Sequence, residues 1–130
     1  MPTIFDILDE TTSGDRREAG TLACESSATT LREIIRLRVQ REVERFNAAE
    51  SEPFLGLLQP EETERVLNGV RPTHRTLDWE RQYAHAIRAF EGNGFLVLVN
   101  DRQILDLDES IALEPQTRVT FLKLVPLIGG

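Results

Sequence analysis

Apolar positions recur along this chain at two different periods, and each period predicts a different kind of element. Thr3 to Asp9 is rich in β-forming residues, Thr11-Thr12-Ser13-Gly14-Asp15 supplies turn chemistry, and a second run follows from about Glu18 to Glu25. Together they predict an opening β-hairpin. The period then changes: Leu31, Ile34, Ile35, Val39, Val43 and Phe46 fall at helical spacing behind Thr30 and Glu33, which have the form of a capping box. An amphipathic helix over about 31–47 is predicted. Further on, Pro60 is placed in the first turn of a short helix with Glu61, Glu62 and Glu64 at its positive end and Gly69 as its stop. Another helix begins near Asp78, carries Trp79, Tyr83, Ile87 and Phe90 on one face, and ends at Gly92-Asn93-Gly94. Phe95-Leu96-Val97-Leu98-Val99 reads as a buried strand, Asn100-Asp101 as a turn, Gln103 to Leu107 as a short edge strand, and Arg118 to Val125 as the last strand. Strands, a long helix and further strands predict an α+β fold, a mixed sheet with the long helix on one face.

Composition narrows the classes of function. With 130 residues and 40% hydrophobic, the chain fits one domain over 1–130, with a core that needs neither disulfide nor metal. A net charge of −7 argues against nucleic acid as a partner, because phosphate binding needs a concentrated positive surface. Cys24 is the only cysteine, so no internal disulfide forms and a reducing compartment is expected. There is no basic, then apolar, leader and no run long enough to span a membrane, so the expectation is a cytoplasmic protein without a membrane partner.

Behind the apolar run Val119 to Val125 the chain ends Pro126-Leu127-Ile128-Gly129-Gly130. At about 7% average glycine usage, such a terminal pair arises by chance in roughly one chain in two hundred, so it suggests chemistry at the C-terminal carboxylate without deciding it. A glycine pair has no Cβ and passes through a channel too narrow for other residues. A frayed tail is the plain alternative.

The order of elements, with Leu98-Val99-Asn100-Asp101 and the Pro126 to Gly130 tail, resembles the β-grasp fold of ubiquitin and of the bacterial sulfur carriers of molybdopterin and thiamin synthesis. The resemblance covers roughly the first 47 residues and 95–130. It departs from both families in a helical insertion of about 48–94, between the long helix and the third strand, where a minimal domain has a short connection. A structureless loop of that length is improbable in a compact domain, and the stripe around Trp79 fills it with helix. Elaborated single-domain chains of this kind are most similar to the bacterial ubiquitin-like modifiers encoded beside E1-like, E2-like and deconjugating peptidase partners.

The resemblance implies that the protein is a substrate and not an enzyme. An E1-like activating enzyme would join the Gly130 carboxyl to AMP and pass it to a cysteine thiolate, and the acyl group would then reach an E2-like enzyme and target proteins. Gly130 and Gly129 would be the conjugation residues. Pro126, which fixes φ and donates no hydrogen bond, with Leu127 and Ile128, would form a flexible partner-binding tail over about 126–130. The protein would hold no cofactor. A sulfur carrier with a thiocarboxylate at Gly130 is the alternative, and a noncovalent binding module with incidental glycines is a third.

Other chemistry is thinly signalled. Cys24, His74 and His85 match no ligand spacing, so no metal site is expected. Cys24 in a strand reads as a small buried thiol, and Glu61, Glu62 and Glu64 as a solvated helix entry. Arg32, Arg36, Arg38, Arg41 and Arg45 outnumber Glu33, Glu42 and Glu44 on the long helix, which suggests either a docking face or a solvated face with pairs such as Arg38 and Glu42. The Trp79 stripe reads as core, or else as an exposed anchor. Lys123 is the only lysine, and alternation puts it on the same side as Val119 and Phe121, with its amine emerging by snorkelling.

Overall fold

Strand β1 (Thr3–Thr11) runs antiparallel to β2 (Arg16–Cys24), joined by a turn in which the Thr11 N–H donates to Asp15 O at 2.9 Å and Gly14 takes φ 94°. The structure is a computed structural model and describes residues 2–48, 56–57, 59–60, 77–124 and 128–129. After the hairpin, β3 (Ala28–Thr30) leads directly into α1 (Leu31–Ala48), and the Thr30 hydroxyl accepts the Glu33 N–H at 3.2 Å, one half of the expected capping box. The Glu33 carboxylate turns away to Arg36.

Beyond α1 come β4 (Gln59–Pro60) and α2 (Trp79–Glu91). Asp78 caps α2, its carboxylate accepting the Glu80 N–H at 3.0 Å, and Gly92 closes it with bonds to Arg88 O and Phe90 O. Pro60 lies in β4 and not in the first turn of a helix; the rest of that expected helix, with Glu61, Glu62, Glu64 and Gly69, falls outside the described residues. Of the expected insertion, α2 is thus the described helix.

Four strands follow: β5 (Phe95–Val99), β6 (Arg102–Ile104), β7 (Ser110–Ala112) and β8 (Arg118–Lys123), then β9 (Ile128–Gly129). The β5–β6 turn places Asn100 and Asp101 at φ 49° and 72°, a left-handed pair that Asn and Asp tolerate. The expected edge strand to Leu107 stops at Ile104. There Asp106 folds the chain back, its carboxylate taking the Asp108 N–H and its carbonyl the Glu109 N–H.

The main sheet has five strands in the order β2-β1-β8-β5-β6. Its centre is a parallel pair, β1 with β8, and every other pairing is antiparallel, so the sheet is mixed. Parallel neighbours require a crossover, and the crossover contains α1. Phe5, Ile7, Leu22, Phe95, Val97, Val99, Val119 and Phe121 face Leu31, Ile34, Ile35, Val39 and Val43 of α1 in one buried cluster. The fold is α+β with the long helix on one sheet face. A second ribbon, β3 with β7, closes one end and has no counterpart in the sequence reading, because three residues are too few for a period to emerge.

One irregularity matters for charge. Between Ile7 and Leu8 the hairpin register shifts by one residue, at Ala19 in β2. Continued without the shift, the register would set Glu18 opposite Asp9, a like-charge pair. With it, Arg17 stands there instead. Gly20, at φ 111°, makes the bulge possible, and a Cβ there would come within 3.1 Å of Arg41 Nη1.

Candidate functional site

Five residues were expected to carry the C-terminal chemistry. Pro126, Leu127 and Gly130 lie outside the described residues, and the backbone of Ile128 and Gly129 is described. These two form β9, parallel to β4, with Ile128 opposite Gln59 and Gly129 opposite Pro60. β9 also runs beside α2. The structure therefore brings the expected conjugation segment against the connection between α1 and α2.

That connection is held from behind. Leu57, two residues before β4, is 2% exposed within the core, and its N–H donates to Glu42 Oε1 at 2.9 Å. Glu42 in turn accepts from Arg38 Nε at 3.1 Å. Arg38 is fully buried and donates twice more, from Nη1 to Asp9 Oδ1 at 2.6 Å and from Nη2 to Asp9 Oδ2 at 2.8 Å, a two-pronged pair. Its guanidinium lies 4.6 Å from the centre of the Phe121 ring. Arg17 reaches Asp9 Oδ2 at 3.0 Å from the bulged strand, and Lys123 Nζ stands 3.6 Å from the same oxygen. One carboxylate thus gathers three cations from α1, β2 and β8.

The electrostatics follow from competition between burial and pairing. Burial pushes the Asp9 carboxyl up, but hydrogen bonding and attraction from Arg38, with Lys123 and Arg17, hold it below the ordinary carboxylate value. Burial works against the charge on Arg38 as well, and Glu42 and Asp9 outweigh it, so Arg38 holds its proton more firmly than a free arginine. Lys123 goes the other way. Burial depresses its ammonium more than Asp9 restores it, and Arg38 and Arg17 add repulsion. With 22% of its side chain exposed, Lys123 has the partial emergence that strand alternation predicted.

The expected positive face on the long helix does not form as a continuous exposed surface, because Arg38 is buried. Arg38 is not solvated: it sits inside the apolar stripe, between Ile34 and Ile35 on one side and Glu42 on the other, and its pair with Glu42 is a buried one. Arg41 covers the hairpin bulge, donating to Thr21 O and, at 3.1 Å, to Ala19 O. Arg36 is engaged by Glu33 and Gln40, and Arg32 by Asp108 at 3.0 Å. Arg45 is exposed. Most of these charges are spent within the molecule.

The Trp79 stripe is half-buried, with Trp79, Tyr83, Ile87 and Phe90 packed against the core, while the fully buried seam of α2 is Gln82 and Ala86. A groove of about 530 Å³ opens between the end of α2, β6 and the turn after it, with Phe90, Ile104 and Leu107 inside and Leu105, 76% exposed, at its rim. Cys24 is a free, half-buried thiol at the end of β2. His85 lies beside Arg88, and His74 falls outside the described residues. Among the described residues, no group of three His, Cys, Asp or Glu is arranged to hold a metal ion, and no helix is long and apolar enough to cross a membrane.

The hub around Asp9 was not foreseen from sequence, although a signal was present. Asp9 continues the inward series Phe5, Ile7, and Arg38 occupies an inward helical position, so two opposite charges point at one core. Comparison with protein-family models, with curated proteins and with solved structures found no match.

Proposed function

We propose that this protein is a ubiquitin-like modifier of β-grasp fold, activated at the Gly130 carboxylate by an ATP-dependent E1-like enzyme and transferred to target proteins. The observation that carries the reading is the sheet order β2-β1-β8-β5-β6, with the first and last main strands parallel at its centre and α1 on one face. That order is compatible with a β-grasp. It also sends the chain out of the central strand toward Gly129-Gly130. Gly130 lies seven residues beyond Lys123, a reach of about 23–25 Å when extended, enough to enter a partner's active site while the body stays outside.

In this reading a Gly130 carboxylate oxygen attacks the α-phosphorus of ATP and expels pyrophosphate. A partner cysteine thiolate then attacks the acyl carbon and AMP leaves, forming a thioester. An E2-like enzyme takes over the acyl group by thiol exchange, and a target amine or hydroxyl displaces that thiolate. A deconjugating peptidase would reverse the bond. The body supplies recognition and no catalytic group. Sulfur transfer shares the adenylate and differs in the attacking nucleophile.

The test is incubation of the protein with ATP, magnesium and an E1-like enzyme from the same cell. The expected product is an adduct that reducing thiols release and that the variant lacking Gly129 and Gly130 does not form. An adduct formed equally by that variant contradicts the assignment.

A further inference from the structure

We propose that β4 and β9 form a latch that gates access to Gly130. The proposal rests on the modifier reading only for its consequence; the latch itself stands on backbone geometry. Ile128 and Gly129 are paired in parallel with Gln59 and Pro60, beside α2. A carboxylate must be presented on an extended, free tail to enter another protein's catalytic cleft, and a segment held in a strand pair is not free. Opening the pair therefore precedes any reaction at Gly130.

Two features make the latch firm on one side and weak on the other. The β4 side is tethered, because Leu57 is buried in the core and its N–H is held by Glu42, which is itself bound to the buried Arg38. The β9 side is easily released. The pairing is only two residues long, and Gly129 loses more conformational freedom on ordering than any other residue type would. Such a device stays closed in the isolated protein and yields to a partner that offers the tail a better groove.

Parallel neighbours lie about 4.8 Å apart, and a disulfide tolerates Cα separations of about 4.4–6.8 Å, so the pairing is testable by cross-linking. In a Cys24→Ser background, the Gln59→Cys/Ile128→Cys pair should oxidise in native buffer at least about tenfold faster than a Ser13→Cys/Ile128→Cys control, Ser13 lying on the exposed turn of the hairpin. The oxidised form should lose Gly130 and Gly129 to carboxypeptidase Y at least about tenfold more slowly than its reduced form. In the otherwise unchanged chain, Gln59→Pro removes the backbone N–H that β4 turns toward β9 and should speed that release by severalfold, with Trp79 fluorescence checking that the body stays folded.

Equal oxidation of the two cysteine pairs would overturn the latch. So would release from the unchanged chain as fast as from the folded Gln59→Pro variant. No readout uses an activating enzyme. A gated tail on a protein that no E1-like enzyme adenylates would retain the latch and remove the modifier reading, and an ungated tail on a conjugated protein would do the reverse.

Discussion

Removing Arg38 should cost more stability than removing Asp9. Arg38→Ala strands two carboxylates, Asp9 with only Arg17 and Lys123 left beside it and Glu42 with none of its guanidinium, whereas Asp9→Ala leaves Arg38 its bond to Glu42. Breaking a buried pair from one side costs about 3–5 kcal/mol, so urea unfolding should place Arg38→Ala at or above the upper end and Asp9→Ala at or below the lower. Equal losses would mean that Glu42 contributes nothing. The same cluster sets a pH dependence of one sign at both of its ends, stability rising with pH in each window. A carboxyl held low in the folded state contributes stability that is present above its unfolded value of about 3.9 and is lost as pH falls through the folded value. Lys123 is depressed on folding, so just below the ordinary lysine value of about 10.4 the unfolded chain binds more protons. Its stability term accordingly rises with pH in that window. Lys123→Met should abolish this alkaline gain, measured as the difference in urea midpoint between about pH 8 and about pH 10; an unchanged difference would place the gain elsewhere. At this scale the sequence was partly legible. Alternation locates the Lys123 side chain, but the spacing puts Arg38 on an exposed face, docking or solvated, because an isolated helix pattern does not reveal that an acid on β1 points into the same core.

Elements with a long period were the readable ones. The hairpin, α1, α2 and the strands β5 and β8 follow from spacing and caps, since Thr30, Asp78 and Gly92 each satisfy a helix end by a local bond that the residue type foretells. The ribbon of β3 with β7, the pair of β4 with β9 and the shortened β6 were not readable, because two or three residues carry no period and depend on a distant partner. Within α2 the stripe of large apolar residues pointed near the core, yet its deepest positions are Gln82 and Ala86. Gln82 is 6% exposed, and its Oε1 has no hydrogen-bond partner among the described residues. A buried acceptor of that kind costs about 1–3 kcal/mol, so Gln82→Leu should stabilise the protein by about 1 kcal/mol once the cost of reshaping the contact is subtracted. Thermal unfolding checks this, and a fall in melting temperature would show that Gln82 serves the packing of α2 despite its unpaired oxygen.

At the scale of the molecule, the architecture divides the labour between a body locked by buried charge and a C-terminal segment docked on an anchored strand. Fold class was legible from element order alone; the direction of β8 beside β1 was not, since only the crossover through α1 fixes it as parallel. In the proposed reading, the outcome at Gly130 depends on what attacks its activated carbonyl, and that leaves a mass signature. The most direct measurement is the intact mass of the protein, and of every higher-mass species containing it, recovered from cells that hold its native partners. The modifier reading predicts species in which Gly130 is joined to other proteins, with hydroxylamine separating labile ester or thioester links from amides. A gain of about sixteen mass units, sulfur replacing one carboxyl oxygen, as the dominant form without any conjugate would contradict it and mark a sulfur carrier.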